Sequence, residues 1–214
     1  MPSASSYMGE ESAEAQIADI DEDIEAGDEA WEIFEDAYGG KAERHFTLGN
    51  HEARLDQLGQ QRARFRRPLS SQMCCKKPRE FGWACHSYGH VINLQGIAMS
   101  HNMVSGTMGR PIGGEMIART LVLKGLESCI VGHSHVLQHV EMTSVLRRKL
   151  FGLSVGCYVH QDFGRSGGKS IRDKYAVRTR HMWWNGLIFI DGLDGKGYYD
   201  RIEFITQREL REGS

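Results

Sequence analysis

Three short apolar runs in this chain each break off into a side chain able to bind a metal. That repetition restricts the fold more than any other feature. Residues 44–48 (RHFTL) run into Gly49-Asn50-His51-Glu52, residues 97–100 end at His101, and residues 128–131 end in Gly132-His133-Ser134-His135. Short runs of branched and aromatic residues bounded by glycine and polar residues read as strands. A helical stretch from 53 to about 66 follows the first run, and another from 115 to 124 precedes the third. Strands alternating with helices call for an α/β arrangement, in which ligands gather beyond the carboxyl ends of the strands. A ligand placed directly after a strand is held with little loop freedom to lose. Imidazole suits zinc, iron and manganese, and a carboxamide oxygen completes a harder site. His133 and His135 lie two apart, so in an extended segment they share one face.

The rest of the chain frames these runs. Residues 13–38 read as one amphipathic helix, with Ile17, Ile20, Ile24, Trp31, Phe34 and Tyr38 at three- and four-residue steps and Gly39-Gly40 as its stop. Its carboxylates read as a solvated face, because no histidine or ordered loop accompanies them. Residues 67–86, with Pro68 and Pro78, read as irregular. Strands are expected at 91–94 and 97–100, joined by Gln95-Gly96, and later at 136–144, 149–155, 184–191 and 198–205. Residues 161–180 read as a polar loop. These elements predict an acidic N-terminal segment over 1–40 and a main domain over 41–214.

The net charge of −2 conceals an asymmetry: residues 1–40 hold 13 acidic residues and no Lys or Arg, whereas the remainder holds 15 acidic and all 26 basic ones. A basic body attracts phosphate-bearing ligands, and an acidic segment docked on it would cancel that field. No apolar run reaches the length of a membrane span, and the N-terminus lacks the basic start and apolar stretch of a secretory signal. Five cysteines without a disulfide spacing suit a reducing, cytoplasmic setting.

The ordered set of GNHE, a strand-end histidine and GHSH resembles the calcineurin-like metallophosphoesterase superfamily, over roughly residues 44–205. Detail around Ser5-Ser6-Tyr7, the acidic helix and GHSH is most similar to phage-encoded members. The resemblance implies an α/β (α+β) fold, a two-sheet sandwich flanked by helices. It implies two divalent metal ions (manganese, iron or zinc) and hydrolysis of a phosphoester by water activated between two cations. Asn50, His101 and His133 would bind the second metal and His135 the first. His51 would contact a phosphate oxygen and help to protonate the leaving group, with Glu52 orienting His51 or the loop. Arg54, Arg110 and the loop 106–114 are candidates for substrate contact, and an ordinary surface role suits them equally. Phosphomonoesters, phosphodiesters and nucleic-acid ends all fit such a centre.

The same resemblance exposes a gap. The family pattern opens with Asp-x-His and Gly-Asp-x-x-Asp, and neither occurs upstream of Asn50. The segment Met1–Tyr7 resembles the stretch that follows the second of these in phage members. We therefore expect the chain to lack its native beginning, a βαβ unit of at least about 30 residues, and to show little or no activity as given. Asn102 stands where the family often has glycine, which places the local loop geometry in question.

Two other readings remain open. Cys74, Cys75, Cys85, His86 and His90 lie near the basic run Arg62, Arg64, Arg66, Arg67, Lys76, Lys77 and Arg79. A zinc-stabilised nucleic-acid-binding module would use such residues, although no Cys-x-x-Cys spacing is present. A solvated basic surface facing the acidic helix is the simpler account of that run. The third reading is a non-catalytic domain kept for binding, with Trp183-Trp184 and residues 161–180 as its surface.

Overall fold

The computed structural model describes residues 13–38, 40–61, 69–158 and 180–213. Met1–Tyr7, Gly39, Arg62, Arg64, Arg66, Arg67 and nearly all of the 161–180 loop lie outside the described residues, as do the side chain of Ile17 and the end of the 53–66 helix. The chain is mixed α and β and divides into two compact units, one ending at His90 and the other starting at Val91. The acidic helix thus shares a unit with residues 41–90. Among the described residues, no helix is long and apolar enough to cross a membrane.

In the first unit, helix α1 (Ala13–Ala37) presents Trp31 and Phe34 to Trp83, with centroids 4.9 and 5.7 Å away. Trp31 also meets Phe46 edge-on at 5.2 Å. Further along α1, Ile20 is buried with Leu55 and Leu69. Ile20, Ile24, Trp31, Phe34 and Tyr38 therefore lie on the packed face. Opposite charges join the same unit: Glu35 accepts from Arg44 at 2.5 Å and from the Trp83 indole at 2.7 Å, and Glu32 pairs with Lys77. The 76–79 part of the basic run thus meets the acidic helix through Lys77. Strand β1 (His45–Thr47) is followed by α2 (Asn50–Gln61), and β1 pairs in parallel with β2 (Ala84–His86).

The stretch expected to be irregular is largely ordered. A 3-10 turn at Ser71–Cys75 leads into α3 (Lys76–Glu80). Asp56 accepts from the Ser70 hydroxyl at 3.0 Å and from the Ser71 N–H at 2.8 Å, which supplies the start. Pro78 falls in the first turn of α3, where an N–H has no helical partner to lose.

The second unit is built on a five-stranded sheet. Its order is β3 (Ile92–Leu94), β4 (Ile97–Ser100), β7 (Ser128–Val131), β9 (Lys149–Val155), β8 (Leu137–Thr143). Strands β4, β7 and β9 run parallel, and antiparallel β3 and β8 flank them. Gln95 and Gly96, at φ 54° and 81°, form the two-residue turn between β3 and β4. Two positive φ values match the twist of a tight hairpin, and glycine supplies one without strain. Helix α4 (Ile117–Gly125) crosses from β4 to β7, and a small hairpin, β5 (Val104–Ser105) with β6 (Arg110–Pro111), precedes it.

Strand alternation splits the core into two layers. On one face, Cys129 and Val131 of β7 meet Ile117 and Leu121 of α4. On the other, Ile97, Phe151 and Leu153 meet Ile188, Ile190, Ile202 and Phe204. Those four belong to the antiparallel pair β10 (Gly186–Asp191) and β11 (Arg201–Thr206). The second unit is therefore two sheets face to face with a helix outside the larger one. Both strands of the smaller sheet start later than the sequence suggests, because Trp184 lies before β10 and residues 194–200 are irregular. A closing helix, α5 (Gln207–Glu212), went unpredicted although Thr206 and Glu209 form a capping box, a signal readable as Thr-x-x-Glu.

Candidate metal-binding site

The crossover from β4 through α4 to β7 brings two strand ends to one edge of the sheet. His101 follows β4 directly, and His133 lies two residues beyond β7. The Gly132 N–H donates to the His101 carbonyl at 3.1 Å, so the two exits are tied through the backbone. Ser134 and Ser154 share a hydroxyl hydrogen bond of 2.7 Å, and Ser154 also donates to the Val136 carbonyl at 2.8 Å. These bonds hold the GHSH loop against β9. The outcome is a close imidazole pair: His101 Nε2 and His133 Nδ1 are 3.2 Å apart, with the rings inclined at 73°. Burial holds the His133 imidazole below the usual histidine pKa, which favours the neutral, ligand-competent form.

The shared face expected of His133 and His135 presupposes extended chain, which the backbone here does not supply. Residues 133 and 134 form a turn rather than extended chain, and His135 has φ 60°. Alternation along an extended strand therefore does not apply to this pair. The His135 ring meets Trp183 edge-on at 4.4 Å, and its carbonyl accepts from the Trp184 N–H at 3.0 Å. Trp183 is a surface candidate in the sequence, whereas Cys157 and Asn185 are nearby additions that no motif flagged: Cys157 donates to Asn185 Oδ1 at 3.3 Å, and its N–H to the Trp184 carbonyl at 2.8 Å.

Asn102, next to His101, is 4% exposed, and its Oδ1 is buried without a hydrogen-bond partner. An unpaired buried carboxamide oxygen is costly unless a donor reaches it.

In the first unit, Asn50 and His51 open α2 rather than lying in a free turn. Glu52 explains why. It is buried, and its Oε2 accepts the Gly49 N–H at 2.7 Å, as the third residue of a capping box does. The first helical bond, Ala53 N–H to the Gly49 carbonyl, spans 3.1 Å. Arg54 is half-buried on α2, and Arg110 is exposed on β6.

Beyond the histidine pair, the described residues contain no group of three or more His, Cys, Asp or Glu side chains gathered as a metal site. The cysteine cluster has its own geometry. Burial pushes the Cys74 thiol up to about 11 and the Cys75 thiol up to about 12. His86 stacks between His45 and His90, at 5.2 and 5.5 Å, rather than on the cysteines. No disulfide is present among the described residues. A groove of about 680 Å³ lined by Ser70, Gln72, Met73, Lys76, Arg79 and Glu80 contains none of the candidate residues. No family model, curated protein or solved structure matches the chain.

Proposed function

We propose that this chain is a metal-dependent phosphoesterase of the calcineurin-like type, with His101 and His133 as the core of its metal centre. The observation that supports this is the 3.2 Å separation of their ring nitrogens at the exits of adjacent parallel strands. Two imidazoles on one tetrahedral cation, each with a bond of about 2.0–2.1 Å, place their nitrogens roughly 3.3 Å apart. The two nitrogens, joined by a hydrogen bond in the metal-free chain, thus stand at the spacing of two ligands on one cation, which a small turn of the rings would let them share.

Two divalent cations (manganese, iron or zinc) would supply Lewis acidity at phosphorus. His101 and His133 would hold one, and His135 would contribute to the other. His51 would contact a phosphate oxygen and deliver a proton to the leaving group, and Glu52 would hold the turn that presents it. Arg54 and Arg110 would add positive charge toward a phosphomonoester, a phosphodiester or a nucleic-acid end. The sequence given carries neither Asp-x-His nor Gly-Asp-x-x-Asp before Asn50, so hydrolysis by this polypeptide should be weak or absent.

Calorimetric titration with Mn²⁺ and Zn²⁺ tests the assignment. The expected result is binding that weakens at least tenfold in His101→Ala and in His133→Ala, with hydrolysis of a nitrophenyl phosphodiester at or near background. Metal binding untouched by both replacements would defeat the proposal. Loss on Cys85→Ser instead would transfer the metal to a zinc-stabilised module.

A further inference from the structure

The tip of the β8–β9 hairpin is made of residues that neither a turn nor water favours. The Arg147 N–H donates to the Ser144 carbonyl and the Ser144 N–H to the Arg148 carbonyl, both at 2.9 Å. Within this turn, Val145 is 99% exposed, Leu146 is 88% exposed, and Arg147 has φ 61°. Tight turns favour Gly, Asn, Asp and Pro, and a left-handed position favours glycine. A sequence that breaks local rules at several adjacent positions without a folding gain usually does so for binding.

The neighbouring corner repeats the pattern. Leu126 ends α4 with φ 55°, where glycine is usual, and it is 71% exposed. The side chain of Arg148 pairs with Glu127, which fastens the tip beside that corner. Leu126, Val145 and Leu146 thus form an exposed apolar cluster edged by Lys124 and Arg147.

A surface of complementary chemistry exists on the same chain. On α1, Ile33 is 71% exposed between the exposed acids Glu29 and Asp36. It lies in a helical region that carries no basic residue.

We infer that the cluster of Leu126, Val145 and Leu146 docks the acidic α1 of a second copy of this chain. Apolar side chains would meet at the centre while Lys124 and Arg147 face Glu29 and Asp36. An anionic membrane is the less suitable occupant, because the 13 acidic residues of positions 1–40 would be repelled by it, whereas a second copy uses them. A contact between two different patches closes as a ring or extends as a chain, so mass should rise with concentration.

Sedimentation velocity across a hundredfold concentration range tests this. The wild-type chain should form species above monomer mass that weaken in high salt. Val145→Ser with Leu146→Ser should shift the midpoint at least tenfold toward monomer, with the circular dichroism spectrum unchanged. Lys124→Glu with Arg147→Glu should do the same, and so should Glu29→Lys with Asp36→Lys. Mixing these two charge-reversed proteins should restore association. A wild-type chain that stays monomeric overturns the inference, as does association indifferent to all three variants. Co-sedimentation with phosphatidylserine vesicles without self-association also overturns it, in favour of a lipid surface.

Discussion

Gly152 offers the sharpest test of how the histidine-bearing strands are held. It sits in the middle of β9 on the face that α4 covers. A Cβ built there would lie 2.0 Å from the Ala118 carbonyl oxygen, 2.8 Å from its carbon and 2.9 Å from Val122 Cγ2. The first two obstacles are backbone, so no rotamer change relieves them. Since non-bonded heavy atoms settle well beyond 3 Å, α4 would have to retreat from the sheet by at least about 1 Å. That movement would open the layer formed by Ile117, Leu121, Cys129 and Val131. Overpacking of this kind costs typically ~1–3 kcal/mol, and a rigid backbone obstacle belongs at the upper end. Urea unfolding followed by tryptophan fluorescence measures it, with Gly113→Ala as the control because no atom lies within 4 Å of its Cβ position. Gly152→Ala should lower the midpoint clearly and Gly113→Ala should not. Equal midpoints for Gly152→Ala and wild type would refute the packing of α4 on β9.

The remaining predictions concern polar groups. Glu52→Ala removes the acceptor for the buried Gly49 N–H and should destabilise the start of α2 by ~1–3 kcal/mol, read as faster amide exchange at Gly49. Tyr199→Phe removes a hydroxyl bonded to His139 Nε2 at 2.8 Å and Glu141 at 2.5 Å, and should cost about 1–3 kcal/mol in urea unfolding. Burial depresses the pKa of His133 and His139, and burial with neighbouring histidines depresses that of His86. In the metal-free chain the unfolded state then takes up protons first. Stability should be level above the ordinary histidine pKa of about 6.5 and fall as pH drops toward the depressed folded values. Urea midpoints at pH 8 and pH 5.5 check this, and a higher midpoint at the lower pH would contradict the sign.

Most of the second unit was legible because its signals are local. Branched residues in short runs marked β4, β7 and β9, and Gln95-Gly96 announced its hairpin. The His101 and His133 positions followed from where those runs stop. What the sequence hid depends on contacts far along the chain. Strand β2 exists through pairing with β1, and the 70–80 region is ordered by Asp56 reaching Ser70 and Ser71. The shared face expected of His133 and His135 rested on extended chain, whereas residues 133–134 turn, so periodicity does not reach that pair. Asn102 appeared only as a departure from a pattern, since its burial without a partner is a property of packing.

The bond from the Gly132 amide to the His101 carbonyl has a wider meaning. Both imidazoles leave one strand–helix–strand unit, and the bonds from Ser154 on β9 to the loop after β7 add a third strand to their support. Insertions elsewhere can change what approaches this edge without altering the pair. A cation arriving there would displace solvent rather than order chain, and selectivity among ions would fall to whatever completes the shell.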